Sequence, residues 1–391
     1  MARIVYTLSG EGLGHTTRAQ AVIEHLVQRH HVCVYAPPIS WQMLGDQFAD
    51  HPRVTIRKLK CLNFRYFRKR LSYTATLASA APFLLSLSTR VRRLAREMRT
   101  WGATHVLNDF EPIGARAAKQ LDLPLIALNH QDFLTTIDAK PLPAPLGRRV
   151  RFLRLSTRLF CPNADRRIVS SYYAYPIIAS LRLKVDRVGV LIRDVVASAK
   201  PVCGDHVLVY QRRHLPTSMY ESLRRCGRTV LVYGLGSAPI DGNLRFLPRS
   251  DRRFVDHLRT AAALVCSSGN QLIGEALHLR KAILAVPESG NFEQQLNGYF
   301  LPTTGGGITV QPKDVRNTTI AQFLENVPRL MQSISDSEPG NVTASQILDR
   351  VLGDTVVDLA KEARSDVLPA SSVAELHSPS QSKASKWEET A

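Results

Sequence analysis

The chain has 391 residues, 44% of them hydrophobic, which suits two α/β domains with sizeable cores. Fifty-one Lys and Arg against 33 Asp and Glu give a formal net charge of +18, a balance that favours anionic partners without specifying a fold. The six cysteines (Cys33, Cys61, Cys161, Cys203, Cys226, Cys266) offer no CxxC pair and no zinc-type spacing, so they read as free thiols in a reducing compartment.

The chain opens on RIVYTL, an apolar run that predicts a strand with no signal-peptide pattern ahead of it. In the first half, strands are predicted over residues 4–8, 32–36, 54–57, 105–108, 125–128 and 158–161, and helices over 15–28, 41–48, 83–100 and 112–121. The uncharged run 71–89 holds several Ser and Thr and a central Pro82, too polar for a membrane-spanning helix. The rhythm pauses over 185–205. It restarts with strands at 206–211, 229–233, 244–247, 262–266, 282–286 and 308–310, and helices at 216–226, 251–261, 269–279 and 292–300. Strands alternating with helices predict parallel sheets covered on both faces. The expectation is an α/β chain of two doubly wound Rossmann-like domains facing a cleft, residues 1–195 and 204–355. A tail over 361–391, rich in Ser, Glu and Lys, is expected to be disordered.

Basic residues concentrate in two clusters. One runs through 53–99 and includes Arg57, Lys58, Lys60, Arg65, Arg68, Lys69, Arg70, Arg90, Arg92, Arg93 and Arg96; the other is Arg148, Arg149, Arg151, Arg154 and Arg158. The second interleaves with Val150, Phe152, Leu153 and Leu155, as in a basic helix lying on an anionic membrane. It reads equally well as a solvated face with its apolar residues turned to the core. No aromatic platform accompanies either cluster, so no nucleic-acid partner is expected.

Loops after strands are where a doubly wound fold binds its ligands. After the first strand comes SGEGLGHTTRAQA, in which Gly10, Gly12 and Gly14 permit a tight turn and Thr16 or Thr17 can cap the following helix. His15 stands where a dinucleotide fingerprint has its third glycine. At the mouth of a cleft an imidazole can deprotonate a substrate hydroxyl; the alternative is a helix-start histidine bonded to its own loop. NDFEP places Asp109 and Glu111 after the fourth strand, and NHQDF places His130 and Gln131 after the fifth. These three loops converge on one site, unless their Asn and Asp serve only as turn formers.

In the second half, CSSGNQLIGEALHLRKAILAVPESGNFEQQLNGYFL (266–301) lays out strand, small-residue turn, helix, strand, Pro turn, helix. Ser267, Ser268, Gly269 and Asn270 open a helix whose free N–H groups suit a diphosphate. Glu275 lies about two turns on, a reach suited to ribose hydroxyls, while Glu293, Gln294 and Asn297 can hydrogen-bond a sugar. The alternative is an ordinary βαβα unit with polar loops.

This segment resembles the donor-binding signature of the GT-B glycosyltransferases, especially their MurG and UDP-glycosyltransferase branches. The matching residues are Ser268-Gly269, Glu275-Ala276, Arg280-Lys281-Ala282, and Glu293-Gln294 with Asn297. GEGLGHTTRA resembles the same families' glycine-rich loop, and the DFEP and NHQ stretches resemble a smaller bacterial and archaeal group of MurG-like transferases. Ser268 departs from the usual Gly-Gly turn, Ala282 replaces a proline, and the long tryptophan-centred plant signature is absent. The resemblance implies an inverting transferase in which the 1–195 domain takes the acceptor and the 204–355 domain the nucleotide-sugar donor, most often UDP-linked. His15 would be the base, oriented by Asp109 or Glu111. The donor is a co-substrate, with no further cofactor and, lacking a DxD, no metal. The acceptor is unnamed, a lipid-linked one being consistent with the basic clusters, and the location implied is cytoplasmic, peripheral to the inner face of the membrane. Two alternatives stand beside this reading, a sugar-nucleotide 2-epimerase of the same fold and a nonenzymatic basic binding protein.

Overall fold

The computed structural model describes residues 1–353 apart from 11, 63, 68, 69, 162, 163 and 337. The predicted tail over 361–391 lies outside the described residues.

The first half is built on strands β1 (Arg3–Leu8), β2 (His31–Ala36) and β3 (Val54–Lys58), a hairpin of β4 (Arg65–Phe67) and β5 (Arg70–Ser72), then β6 (His105–Asp109), β7 (Leu125–Asn129), β8 (Arg166–Ser170) and β9 (Val185–Val188). Seven of these form a parallel sheet in the order β3-β2-β1-β6-β7-β8-β9. β10 (Val207–Tyr210), β11 (Val230–Tyr233), β12 (Leu244–Phe246), β13 (Ala263–Cys266), β14 (Ala282–Ala285) and β15 (Gly307–Thr309) form a second parallel sheet, ordered β12-β11-β10-β13-β14-β15. Helices cover both faces, which is why HVCVYA and ALVC are almost continuously apolar and buried. Both sheets belong to one compact unit, Met1–Leu352.

Three expectations change in the structure. Residues 158–161 are not a strand; they end the helix Ala144–Phe160, whose buried stripe of Leu146, Val150, Leu153 and Thr157 recurs at helical spacing and outweighs a short apolar run. The strand there is RRIVS, Arg166–Ser170, and the pause near 185 holds the short edge strand β9. The stretch 83–100 spans two helices, Tyr73–Leu85 and Leu87–Trp101, the first capped by Ser72 accepting from Ala75 N at 3.2 Å. Residues 341–352, expected with the second domain, return to the first core. Ala344, Leu348 and Leu352 of the helix Asn341–Gly353 pack with Ile4, Val22 and Leu26.

Each sheet reverses its strand order once, between β1 and β6 and between β10 and β13. The sequence ranges after these strands are 9–13 and 110–111 in the first half, and 211–212 and 267–269 in the second. The two reversal points face each other: a Cβ added at Gly12 would come within 2.8 Å of Arg212 Nη1, and one at Gly14 within 3.5 Å of Gln271 Cβ. Such crevices are where open α/β sheets hold their ligands. Among the described residues no helix is long and apolar enough to cross a membrane.

Candidate active site

Gly12 has φ +77°, a left-handed conformation that favours glycine, and it turns the chain from β1 into the helix Gly14–Leu26. Ser9 N donates to Asp109 O at 3.0 Å, joining this loop to the end of β6. The helix buries His15 and Arg18, one turn apart on the same face. His15 Nδ1 lies 2.8 Å from Asp109 Oδ1. Arg18 takes both carboxylate oxygens, Nε to Oδ2 at 3.0 Å and Nη2 to Oδ1 at 2.7 Å. Burial alone would push the Asp109 carboxyl up, but Arg18 and His15 outweigh it and hold the group below its ordinary range. An ionised Asp109 accepts from Nδ1–H, which makes Nε2 the basic nitrogen of His15.

Glu111 does not orient His15. Its Oε1 accepts from Ile113 N at 3.0 Å and its Oε2 from Gly114 N at 2.6 Å, capping the helix Pro112–Gln120. Complete burial pushes its carboxyl up to about 7, partly offset by those two N–H groups. Gly114 is required there, since a Cβ would fall 2.3 Å from Thr7 Oγ1. Between Asp109 and Glu111, Phe110 adopts φ +53°, a strained value for an aromatic residue at the mouth of the site.

In the second half, Gly269 sits at the start of the helix Asn270–His278, and no side chain caps it. Among the described residues, Ser268 Oγ, Gln271 Oε1 and Gln131 Oε1 are buried without a hydrogen-bond partner. An uncapped helix start beside orphaned buried polar atoms fits an anionic, hydroxyl-rich ligand. Glu275 is buried and more committed than expected. Its Oε1 accepts from Arg193 Nε at 3.0 Å and Gln271 Nε2 at 3.1 Å, and its Oε2 from Arg193 Nη2 at 2.9 Å. With two acceptor sites per oxygen, only one site on Oε2 stays open. Arg193 also binds Asp251, Nη1 to Oδ1 at 2.6 Å, and these partners hold its charge despite burial.

The remaining expected residues divide. Glu293 is half-buried and within 3.4 Å of Gln131 Nε2, a contact across the two halves. Gln294 spends Oε1 on Glu288 N at 2.7 Å. Asn270 and Asn297 are staples between the halves. Asn270 bonds Tyr172 N and Ser170 O; Asn297 Oδ1 lies 2.9 Å from both His130 Nε2 and Tyr173 Oη, and its Nδ2 donates to Ser268 O. His130 is therefore closed to an acceptor, its Nδ1 meeting Ser170 O at 2.9 Å. Burial lowers the affinity of its ring for a proton, opposed by Glu293, Asn297 and Ser170. Two cavities lie away from these groups. One of about 420 Å³ lies beside Leu87, Val91 and Arg116, and one of about 40 Å³ between Tyr172 and Gly274.

Glycosyl transferase family 1 matches residues 2–328. The chain belongs to that family. No curated protein sequence matches it. Among solved structures, MurG of Acinetobacter baumannii superposes with a TM-score of 0.58 at 15% identity, covering 90% of this chain and 100% of that one. UGT2 of Phytolacca americana, complexed with UDP-2-fluoroglucose and pterostilbene, gives 0.60 at 15% identity over 90% and 99%. UGT71G1 of Medicago truncatula, complexed with UDP-glucose, gives 0.57 at 13% identity over 93% and 97%. The family 1 chain is thus a glycosyltransferase with the GT-B fold, which sets aside the nonenzymatic basic binder. Sequence reasoning missed Arg18, Arg193, Arg212 and Tyr173 in this transferase. The spacing of His15 and Arg18 was a usable signal; the others come from loops with no periodicity. Arg212 pairs with Glu288 at 2.9 Å, beside Gly12.

Proposed function

We propose that the transferase moves a sugar from a UDP-linked donor to an acceptor hydroxyl by inversion, with His15 as base and the diphosphate at the start of the Asn270–His278 helix. The observation that carries this reading is the apposition of the two reversal points, which sets the His15–Asp109 pair opposite that uncapped helix. Free N–H groups there, Ser268 Oγ and the helix dipole suit the departing diphosphate without a metal. Glu293 and the orphaned Gln131 Oε1 offer acceptors to sugar hydroxyls, and the open site on Glu275 Oε2 to one ribose hydroxyl. His15 and Ser268 are buried, so the loops must part to admit the donor. The UDP-sugars complexed with the two plant neighbours support UDP as the first nucleotide to try.

A thermal-shift panel of UDP, GDP and dTDP sugars tests the donor, since a ligand that binds only the folded state raises Tm. Isomerised donor in the absence of acceptor would favour the 2-epimerase. EDTA-insensitive transfer is expected.

The acceptor is proposed to be lipid-linked and the location the inner membrane surface. On the helix Ala144–Phe160, Arg148, Arg151 and Arg158 are exposed together with Phe152 and Leu155. Leu77, Leu84 and Leu85 are exposed on the helix Tyr73–Leu85. Apolar side chains among cations suit an anionic leaflet. Arg149 and Arg154 are instead spent inside the protein, on Gln295 Oε1 at 2.5 Å and Leu134 O at 3.2 Å.

A further inference from the structure

We propose that Arg18 is a positioning residue for the transfer step. It holds Asp109 ionised and fixed so that Asp109 orients His15, and it disfavours the protonated ring. This rests on the reading of His15 as base.

The geometry is a closed triad. Nη2 of Arg18 reaches Oδ1 at 2.7 Å and Oδ2 at 2.8 Å, Nε reaches Oδ2 at 3.0 Å, and the same Nη2 stands 3.1 Å from His15 Nδ1. Arg18 is 2% exposed, His15 4% and Asp109 0%, so water screens none of these charges. Two donors, Nδ1–H and Nη2–H, converge on Oδ1. Their close approach is tolerable while the ring is neutral; a proton arriving on Nε2 would put two cations side by side over one carboxylate. A bare carboxylate beside a histidine favours the imidazolium, and Arg18 counters that preference while keeping the carboxylate in place.

The surrounding groups do not supply this charge. Tyr6 lies in the buried core of β1 with its hydroxyl unpartnered, raised far above its ordinary value by burial and then by Asp109. Glu293 on the Phe292–Phe300 helix acts on Arg18 from the other half, and Asp132 and His130 face the triad from the loop after β7. Asp132 is engaged by Arg167 at 3.7 Å and His130 by Ser170 and Asn297. Among the described residues, Arg18 is the cation in contact with the Asp109 carboxylate.

The experiment is the pH profile of kcat/KM with a UDP-sugar for wild type, Arg18→Met and Arg18→Lys, alongside UDP affinity by calorimetry. In Arg18→Met the acid limb should move to higher pH by about one unit, with UDP affinity within about twofold of wild type. Arg18→Lys keeps the charge and loses the fork, so its limb should stay in place while kcat falls by about tenfold. An Arg18→Met limb that does not move overturns the proposal, as does a loss of UDP affinity as large as the loss of rate. If Arg18→Met does not fold, Arg18→Lys decides: a wild-type kcat overturns the proposal, and a lowered kcat on an unmoved limb upholds it. Wild type that binds no nucleotide and transfers no sugar would sink the underlying reading and this proposal with it. Normal wild-type transfer beside an unmoved limb sinks the proposal alone.

Discussion

Arg193 and Glu275 lock the segment between the two sheets onto the helix Asn270–His278, through paired hydrogen bonds of 3.0 and 2.9 Å with both side chains almost wholly buried. Breaking one side of a buried pair leaves the other charge uncompensated, which typically costs several kcal/mol. Glu275→Leu should therefore lower unfolding free energy by about 3 kcal/mol, with Asp251 retaining part of the Arg193 charge. Arg193→Met combined with Glu275→Leu should recover most of that loss. Denaturant melts of the four variants check this, and an effect of Glu275→Leu below about 1 kcal/mol would show that the pair is not structural.

His15→Ala should reduce turnover at least about a hundredfold while leaving UDP affinity nearly unchanged. The warrant is that His15 follows the glycine loop, while the proposed nucleotide site is at the opposing helix Asn270–His278. A parallel fall in affinity would place His15 in donor binding instead.

Glu111 gives a pH prediction with a definite sign. Its folded value is raised from 4.5 to about 7 by burial. A group raised on folding contributes stability fully below its unfolded value, and that contribution is lost as pH climbs through the folded value. Stability relative to Glu111→Gln should thus fall between pH about 4.5 and about 7, by roughly 3 kcal/mol at about 1.4 kcal/mol per unit. A difference that is flat across that window, read from urea midpoints, would show that the two cap N–H groups keep the carboxylate ionised.

Arg148, Arg151 and Arg158 to Ser together should abolish flotation with anionic liposomes at low salt, each charge near the surface being worth about 1 kcal/mol. Arg149→Ser and Arg154→Ser should not, because those side chains are bonded internally. Binding that ignores lipid charge, or never occurs, would leave a soluble acceptor.

Both sheets and their helix coverage were legible in the sequence because buried parallel strands such as RIVYTL and HVCVYA announce themselves as apolar runs. The helix Ala144–Phe160 was partly misread because its carboxyl end, Arg158–Cys161 in the sequence, has the length and composition of a short strand. That the loop after β1 and Asp109 lie together was legible, and the structure joins them through His15. What the sequence did not show was partnership. Glu111 and Asp109 are two residues apart, yet one caps a helix and the other holds His15, a division set by the strained turn at Phe110. Asn270 and Asn297 matched a donor pattern by spacing, while their amides are consumed by Ser170 at the end of β8 and by Tyr172 and Tyr173 just after it, a stretch that carries no signal of its own.

The most direct test of the donor site is calorimetric titration of UDP into wild type and Ser268→Ala. Ser268 Oγ is buried with no hydrogen-bond partner among the described residues, beside the uncapped helix start, so Ser268→Ala removes a donor and acceptor and disturbs no existing hydrogen bond of that hydroxyl. Wild type should bind UDP, and Ser268→Ala should bind it at least about tenfold more weakly with a Tm close to wild type, as expected for a lost hydrogen bond to a charged group. Equal UDP affinity in the two proteins would contradict a diphosphate at the start of the Asn270–His278 helix.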